Sequence, residues 1–368
     1  MAYLPLSTAN LPDPAIDPAQ GSSPSDYFNT VLYTGDGTSS RGITGLGFQP
    51  DLVWTKRRST SDNHHLFDAV RVVSSVPQRL FPNLTNAEDG NFGSLDSFDS
   101  DGFTIGANTA TNASGESFVA WNWKANGSGV SNTDGSITST VSANTESGFS
   151  IVSYTGTGSN ATVGHGLSSA PEMIIFKERN GATNWPVYHS GLSSAAYAVE
   201  LNQTIAQFSY PAYFQSTDPT SSVFYIGTDT YINNNTDNYI AYCFHSVDGF
   251  SKIGSYNGDQ SSDSDSNFVY LGFRPSFVMI KGTSSNSPWL MFDSARNTYN
   301  VIGDEALAAN SSEAEGLSSW NPNTSNSVID FLSNGFKIRT QSTTGINGSE
   351  VHIYMAFAEN PFKYSNAR

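Results

Sequence analysis

The chain holds a single cysteine, Cys243, in 368 residues. That excludes an internal disulfide and leaves no cysteine-based metal site. Positive charge is short too: 17 Lys and Arg stand against 33 Asp and Glu, a net charge of −16. Nucleic-acid binding needs clustered cations to meet phosphates, so it is not expected here. No apolar run approaches the ~18 residues of a membrane span. The N-terminal residues lack a basic start and an apolar stretch, so no secretory signal is expected in them. Charged residues of both signs make up only 14% of the chain. Helix surfaces are usually coated with Glu, Lys, Arg and Ala, which favour helix; Ser, Thr, Asn and Gly stand in their place.

What is present points to strands. Aromatic residues reach 12%, enough to bury large cores and to exclude general disorder. β-Branched and aromatic runs alternate with Gly, Asn, Asp and Ser punctuation, the pattern of short strands joined by turns. One short helix is expected between Gly303 and Leu317, with Asp304 as cap. Length suggests two or three domains.

The chain repeats itself. Gly47-Phe48-Gln49-Pro50 leads into Asp51-Leu52-Val53-Trp54-Thr55-Lys56. The same turn, proline, apolar run and closing lysine recur from Gly166 through Pro171 to Lys177, and from Gly272 through Pro275 to Lys281. A Tyr-x-Gly precedes each proline: Tyr33-Thr34-Gly35, Tyr154-Thr155-Gly156 and Tyr256-Asn257-Gly258. Aromatic runs follow each lysine, at Leu66-Phe67-Asp68, Trp185 to His189 and Trp289 to Asp293. An alternating run closes each block: Phe118 to Trp123, Tyr239 to Phe244 and Tyr354 to Ala358. A single offset, 121 residues, separates Tyr33 from Tyr154, Pro50 from Pro171, Phe67 from Tyr188 and Trp121 from Tyr242.

The expected architecture is therefore all-β: three tandem β-sandwich copies, jelly-roll or concanavalin-like, behind an extended N-terminal arm. The boundaries are residues 1–26 for the Pro-rich arm, 27–124 for the first block, 125–145 for a Ser/Thr/Asn/Gly-rich linker, 146–246 for the second block and 247–368 for the third. Ser136 to Val141 in the linker has the makings of a connecting strand, and the joint from Ser246 to Phe250 is expected to be stiff. The run after each proline lacks clean alternation and reads as a central strand buried on both faces. In the last strand Val119, Trp121 and Trp123 share one face, with Phe118, Ala120 and Asn122 on the other. Each recurring lysine is expected to end its strand and snorkel to the edge.

Chemistry is harder to find. His64 and His65 with Asp62 resemble a metal corner, but adjacent strand residues point to opposite faces. His165, His189, His245 and His352 show no ligand spacing. Asp259 to Asp265 is dense in oxygen yet lacks the glycine and terminal glutamate of a calcium loop, and reads as an acidic hairpin tip. Asp96, Asp99 and Asp101 read as turn residues. Gly164-His165-Gly166 and Gly102 to Gly106 open no helix that would hold phosphate, and no Gly-x-Ser-x-Gly elbow occurs. Tyr210, Tyr213, Phe214 and Trp320 are candidate loop-tip aromatics for stacking on sugars, with plugging of a sandwich end as the plainer role. No catalytic, cofactor-binding or metal-ligating residue is assigned, and no cofactor is expected.

Several long phrases resemble a known group. They are Asp26 to Gly35, Gly47 to Trp54, Asn112 to Lys124, Gly148 to Gly156 and the ending Ala356 to Tyr364. They are similar to tail-fibre-like and appendage structural proteins of tailed phages, marine and cyanobacterial ones especially. The resemblance covers nearly the whole chain and brings no known functional residues with it. It implies a virion protein assembled in the reducing bacterial cytoplasm, in keeping with one cysteine. It further implies attachment to other virion proteins through the arm and a homo-oligomer, trimers being common. The leading expectation is a non-enzymatic appendage displaying β-sandwiches for contact with host-surface glycans. The alternatives are a capsid decoration or head-fibre protein, and a glycan depolymerase, which requires two carboxylates ~5–9.5 Å apart in an aromatic cleft.

Overall fold

The structure, a computed structural model, describes residues 11–90, 93–260, 267–300, 305–316, 328–340 and 345–365. It is all-β, with 43% strand and 6% helix. The α-helical pieces among the described residues are single turns, Thr109–Asn112, Pro211–Phe214 and Thr230–Asn233. No described helix is long and apolar enough to cross a membrane. Where the sequence suggests a helix, Leu307–Ala308 instead pairs with the strand Leu290–Asp293 and is buried. The ladder satisfies those backbone groups while both side chains enter the core; residues 303, 304 and 317 lie outside the described ones.

Each sequence block supplies eight strands among the described residues. In the first block a large sheet runs Phe28–Thr34, Ser117–Trp123, Leu52–Arg57, His64–Val73, Val76–Leu80. In the second the order is Phe149–Thr155, Asn238–Phe244, Met173–Glu178, Pro186–His189, Tyr197–Glu200, and in the third Ser251–Asn257, Val351–Pro361, Phe273–Gly282, Leu290–Asp293, Leu307–Ala308. The three orders match strand for strand. The linker extends the second sheet with Ser139–Asn144 and Val130–Asn132. A small antiparallel sheet accompanies each large one; its central pairs are Ile43 with Phe103, Val163 with Phe224 and Val269 with Phe336.

The two faces of each large sheet enter different cores. Val119, Trp121 and Trp123 lie in one central cluster shared by all three blocks, together with Ile240, Tyr242, Phe244, Ile353, Met355 and Phe357. Ala120, Ala241 and Ala356 face the other way, each into a smaller core between its large and small sheets. That is why the strands after Pro50 and Pro171 are buried on both faces. Trp123, Phe244 and Phe357 occupy the same register, opposite Leu52, Met173 and Phe277. Their rings form a triangle with centroid separations of 6.4, 5.6 and 6.1 Å. Equivalent residues thus meet one another around a common line, and the large sheets wall one core rather than three separate ones.

The Tyr-x-Gly repeat has a local cause. Tyr33, Tyr154 and Tyr256 donate their hydroxyls to the carbonyls of Thr111, Ile232 and Ile346. The next residues, Asn112, Asn233 and Asn347, are fully buried and accept backbone N–H from Asp36, Thr157 and Asp259. This draws the chain so close that a Cβ at Gly35, Gly156 or Gly258 would lie 2.1, 2.2 or 1.9 Å from a carbonyl oxygen. Only glycine fits there.

The described part of the arm lies on the body. Ile16 joins the central core, Tyr364 donates its hydroxyl to Asp17, and Lys363 pairs with Asp13. Two 3-10 turns, Pro18–Gln20 and Pro24–Asp26, lead into the first strand.

Candidate functional site

The joints between blocks carry a repeated set of buried polar contacts. His64 opens its strand, Trp185 and Trp289 stand one residue before the corresponding strands, and one ring nitrogen of each meets a carbonyl of another block. His64 Nε2 is 3.0 Å from Ala308 O, Trp185 Nε1 donates to Leu84 O at 3.0 Å, and Trp289 Nε1 donates to Glu200 O at 3.0 Å. His64 Nδ1 accepts from Trp54 Nε1 at 2.9 Å, so the His64 proton sits on Nε2. Backbone bonds repeat the pattern: Glu315 N to Arg58 O, Glu88 N to Arg179 O and Gln207 N to Thr283 O. First block meets third, second meets first and third meets second, so the ring closes.

A second layer does the same. Tyr242 donates to Asp68 at 2.7 Å, Trp121 donates to Asp293 at 3.0 Å, and His189 Nε2 lies 3.2 Å from Tyr354 O. Asp68 and Asp293 also pair with Arg71 and Arg296, each at 2.6 Å and almost wholly buried. Glu88 bridges Arg71 and Arg179 across the first and second blocks. Burial works to raise the Glu88 carboxyl, but the hydrogen bond from Arg179 and the charge of Arg71 hold it below its ordinary value.

The recurring lysines do not snorkel. Lys56, Lys177 and Lys281 are fully buried. Lys56 Nζ donates to Arg57 O and Ser312 O, Lys177 Nζ to Gly181 O and Thr183 Oγ1, and Lys281 Nζ to Ser287 O and Thr204 O. Two of the three therefore reach another block. Desolvation pushes Lys56 and Lys177 down to about 8 and Lys281 to about 7. The stems are too deep to reach water, and the joint's loop carbonyls replace it.

The other candidates also have structural places. All six histidines are buried. His65 faces away from His64 and packs edge-on against Phe81, so the two do not converge on a metal. His165 takes Leu167 N–H on Nδ1 and faces Thr220 O with Nε2. His245 and His352 use Nδ1 toward the Ser246 and Glu350 carbonyls. Burial lowers His65 to about 3 and His189 to about 4. Asp101 accepts from Gly45 N and Gly47 N, and Asp99 from Ser97 and Thr104. Of Asp259 to Asp265, residues 261–265 lie outside the described ones, as does Trp320. Among the described residues no group of three His, Cys, Asp or Glu is placed to hold a metal. Cys243 is buried, which pushes its thiol up and away from reactivity.

Of the candidate sugar-stacking aromatics, Tyr213 and Phe214 are core residues. The single helical turn Pro211–Phe214 tucks them under the small sheet, because their rings complete the second block's core. Tyr210 is 39% exposed with its hydroxyl on Asp229. Sequence reasoning passed over a different pair, Phe268 and Tyr270, which are 45% and 62% exposed. A signal was there: the corresponding positions in the other blocks are Gly42 and Thr44, and Thr162 and Gly164.

Two clefts flank the arm. One, of about 520 Å³, is lined by Ile16, Tyr27, Glu146, His245 and Asp248, with Tyr27 donating to Glu146 at 2.7 Å. The other, of about 150 Å³, is lined by Pro12, Asp248, Tyr270, Gly272, Phe362 and Lys363.

One family description matches residues 23–361, that of a domain of unknown function, DUF7483. The chain belongs to that family. The match spans all three blocks as one unit, just as the central core does, and leaves residues 1–22 outside. No curated protein matches the chain.

Proposed function

We propose that the chain is a non-enzymatic structural and display protein of a phage particle, in which three copies of one β-sandwich unit close on each other within a single chain. The observation that carries this is the cyclic joint: equivalent rings and backbone groups hold first block to third, second to first and third to second. Buried lysines, carboxylates and the histidines other than His65 are engaged in these contacts or in local turns. Such a block is stiff and presents loops on a rigid scaffold, which suits display. It carries within one chain the threefold arrangement that a homotrimeric fibre obtains from three.

The phage assignment is supported by the sequence resemblance. In this reading the chain binds other virion proteins and presents its outer loops to host-surface glycans. The test is labelling of purified particles with antibody raised against the recombinant chain. Gold at the tail or baseplate is the expected result. Label on capsid faces would make it a decoration protein, and unlabelled particles would overturn the virion assignment.

A further inference from the structure

We propose that Tyr270 and Asp248 form a saccharide-binding subsite on the third block, with one sugar ring stacked on Tyr270 and its hydroxyls toward Asp248. The three blocks provide an internal control. Val269, Val163 and Ile43 fill the same core position opposite Phe336, Phe224 and Phe103. The flanking outward positions in the first two blocks are only Gly and Thr, so the fold does not require aromatics there. In the second block the position is already covered: the Asn132 side chain of the linker lies where a Cβ on Gly164 would point. In the third block the same face carries two rings, both substantially exposed.

The surroundings specify the ligand. Phe268 and Tyr270 are two apart on one strand, so they share a face about 6.6 Å apart. Phe268 lies over Gly335, with a ring carbon 3.1 Å from that residue's Cβ position. Tyr270 leans the other way: its hydroxyl and Asp248 Oδ1 lie 3.7 and 3.9 Å from the Cβ position of Gly272. The Tyr270 ring, the Asp248 carboxylate and Lys363, which pairs with Asp13, thus border one groove. At about 150 Å³ it is smaller than a drug-sized pocket and takes one ring of a longer molecule. The exposed ring surface is roughly 200 Å². A stable protein interface needs about 800 Å² per partner. A sugar, with an apolar ring face and hydroxyl edges, matches a small aromatic platform beside a carboxylate.

The inference rests on the display reading, and its test is separable. The full chain is run through native gels containing soluble β-glucan, α-mannan, xylan or bacterial O-polysaccharide, beside Tyr270→Ala, Phe268→Ala and, as a control, Val130→Ala. Thermal melts confirm that each variant folds. At least one polysaccharide should retard the wild type, Phe268→Ala and Val130→Ala alike, and Tyr270→Ala should weaken that binding about tenfold or more. Retardation of none, or equal retardation of Tyr270→Ala, overturns the subsite. So does capture of a peptide along the strand edge that Tyr270→Ala leaves unchanged. Labelled virions without retardation would leave the display proposal standing and remove this one; retardation without label would do the reverse.

Discussion

Gly35, Gly156 and Gly258 are under one repeated local constraint, since each would push a methyl to within about 2 Å of a carbonyl oxygen. Alanine at Gly35 or Gly156 should cost about 2–4 kcal/mol, read as a lower midpoint in guanidinium at unchanged slope. The buried lysines make a second prediction. Their ordinary value is 10.5, and burial lowers Lys281 to about 7 and Lys56 and Lys177 to about 8. Between those values and 10.5 the unfolded chain binds more protons than the folded one, so stability rises with pH across that window. The rise approaches about 1.4 kcal/mol per pH unit for each lysine within it. Lys281→Met should flatten the profile, as measured by melts at about pH 7 and 9. Residue roles were only partly legible. The recurrence of Tyr, Gly and Lys could be read directly, but the snorkelling role failed. A sequence does not show that an unlike block supplies the carbonyls around Nζ.

At the scale of elements, the strands were legible because turn glycines and prolines bracket them. Gly47, Gly166 and Gly272 all adopt positive φ just before the doubly buried strands. The alternation of Val119, Trp121 and Trp123 against Ala120 was also legible, but not what each face meets. One face enters its own block's core and the other the shared core, a distinction that depends on how sheets pack and not on spacing. Tyr213 and Phe214 take the plainer of their two expected roles, inside the second block's core, though a polar neighbourhood in sequence does not reveal the small sheet folded over them. The joints are where elements depend on each other. Arg71 is fully buried and pairs with Asp68 and Glu88. Arg71→Met leaves the buried Asp68 carboxylate without its cation and should cost about 3–5 kcal/mol. Arg79→Met, at a pair whose Asp89 is 43% exposed, should cost about 1 kcal/mol or less. Denaturant melts of the two variants make the comparison.

For the whole molecule, the three-part sequence repeat suggested three domains in a row, while the described packing brings the blocks around a single aromatic centre. The repeat was visible because its register is kept over each block; the closure was not, because it depends on contacts between residues such as Trp121 and Asp293 that are far apart in sequence. A closed ring of this kind should run as a 39.5 kDa monomer in light scattering, where the resemblance implies a homo-oligomer. The most direct test of the account is differential scanning calorimetry of the full chain. One transition is predicted, with a calorimetric enthalpy equal to the van't Hoff enthalpy and near 0.7 kcal/mol per residue at about 60 °C. Arg71→Met should shift that transition as a whole. Three resolved transitions, or a calorimetric enthalpy about three times the van't Hoff value, would mean that the blocks fold independently and would contradict the shared core.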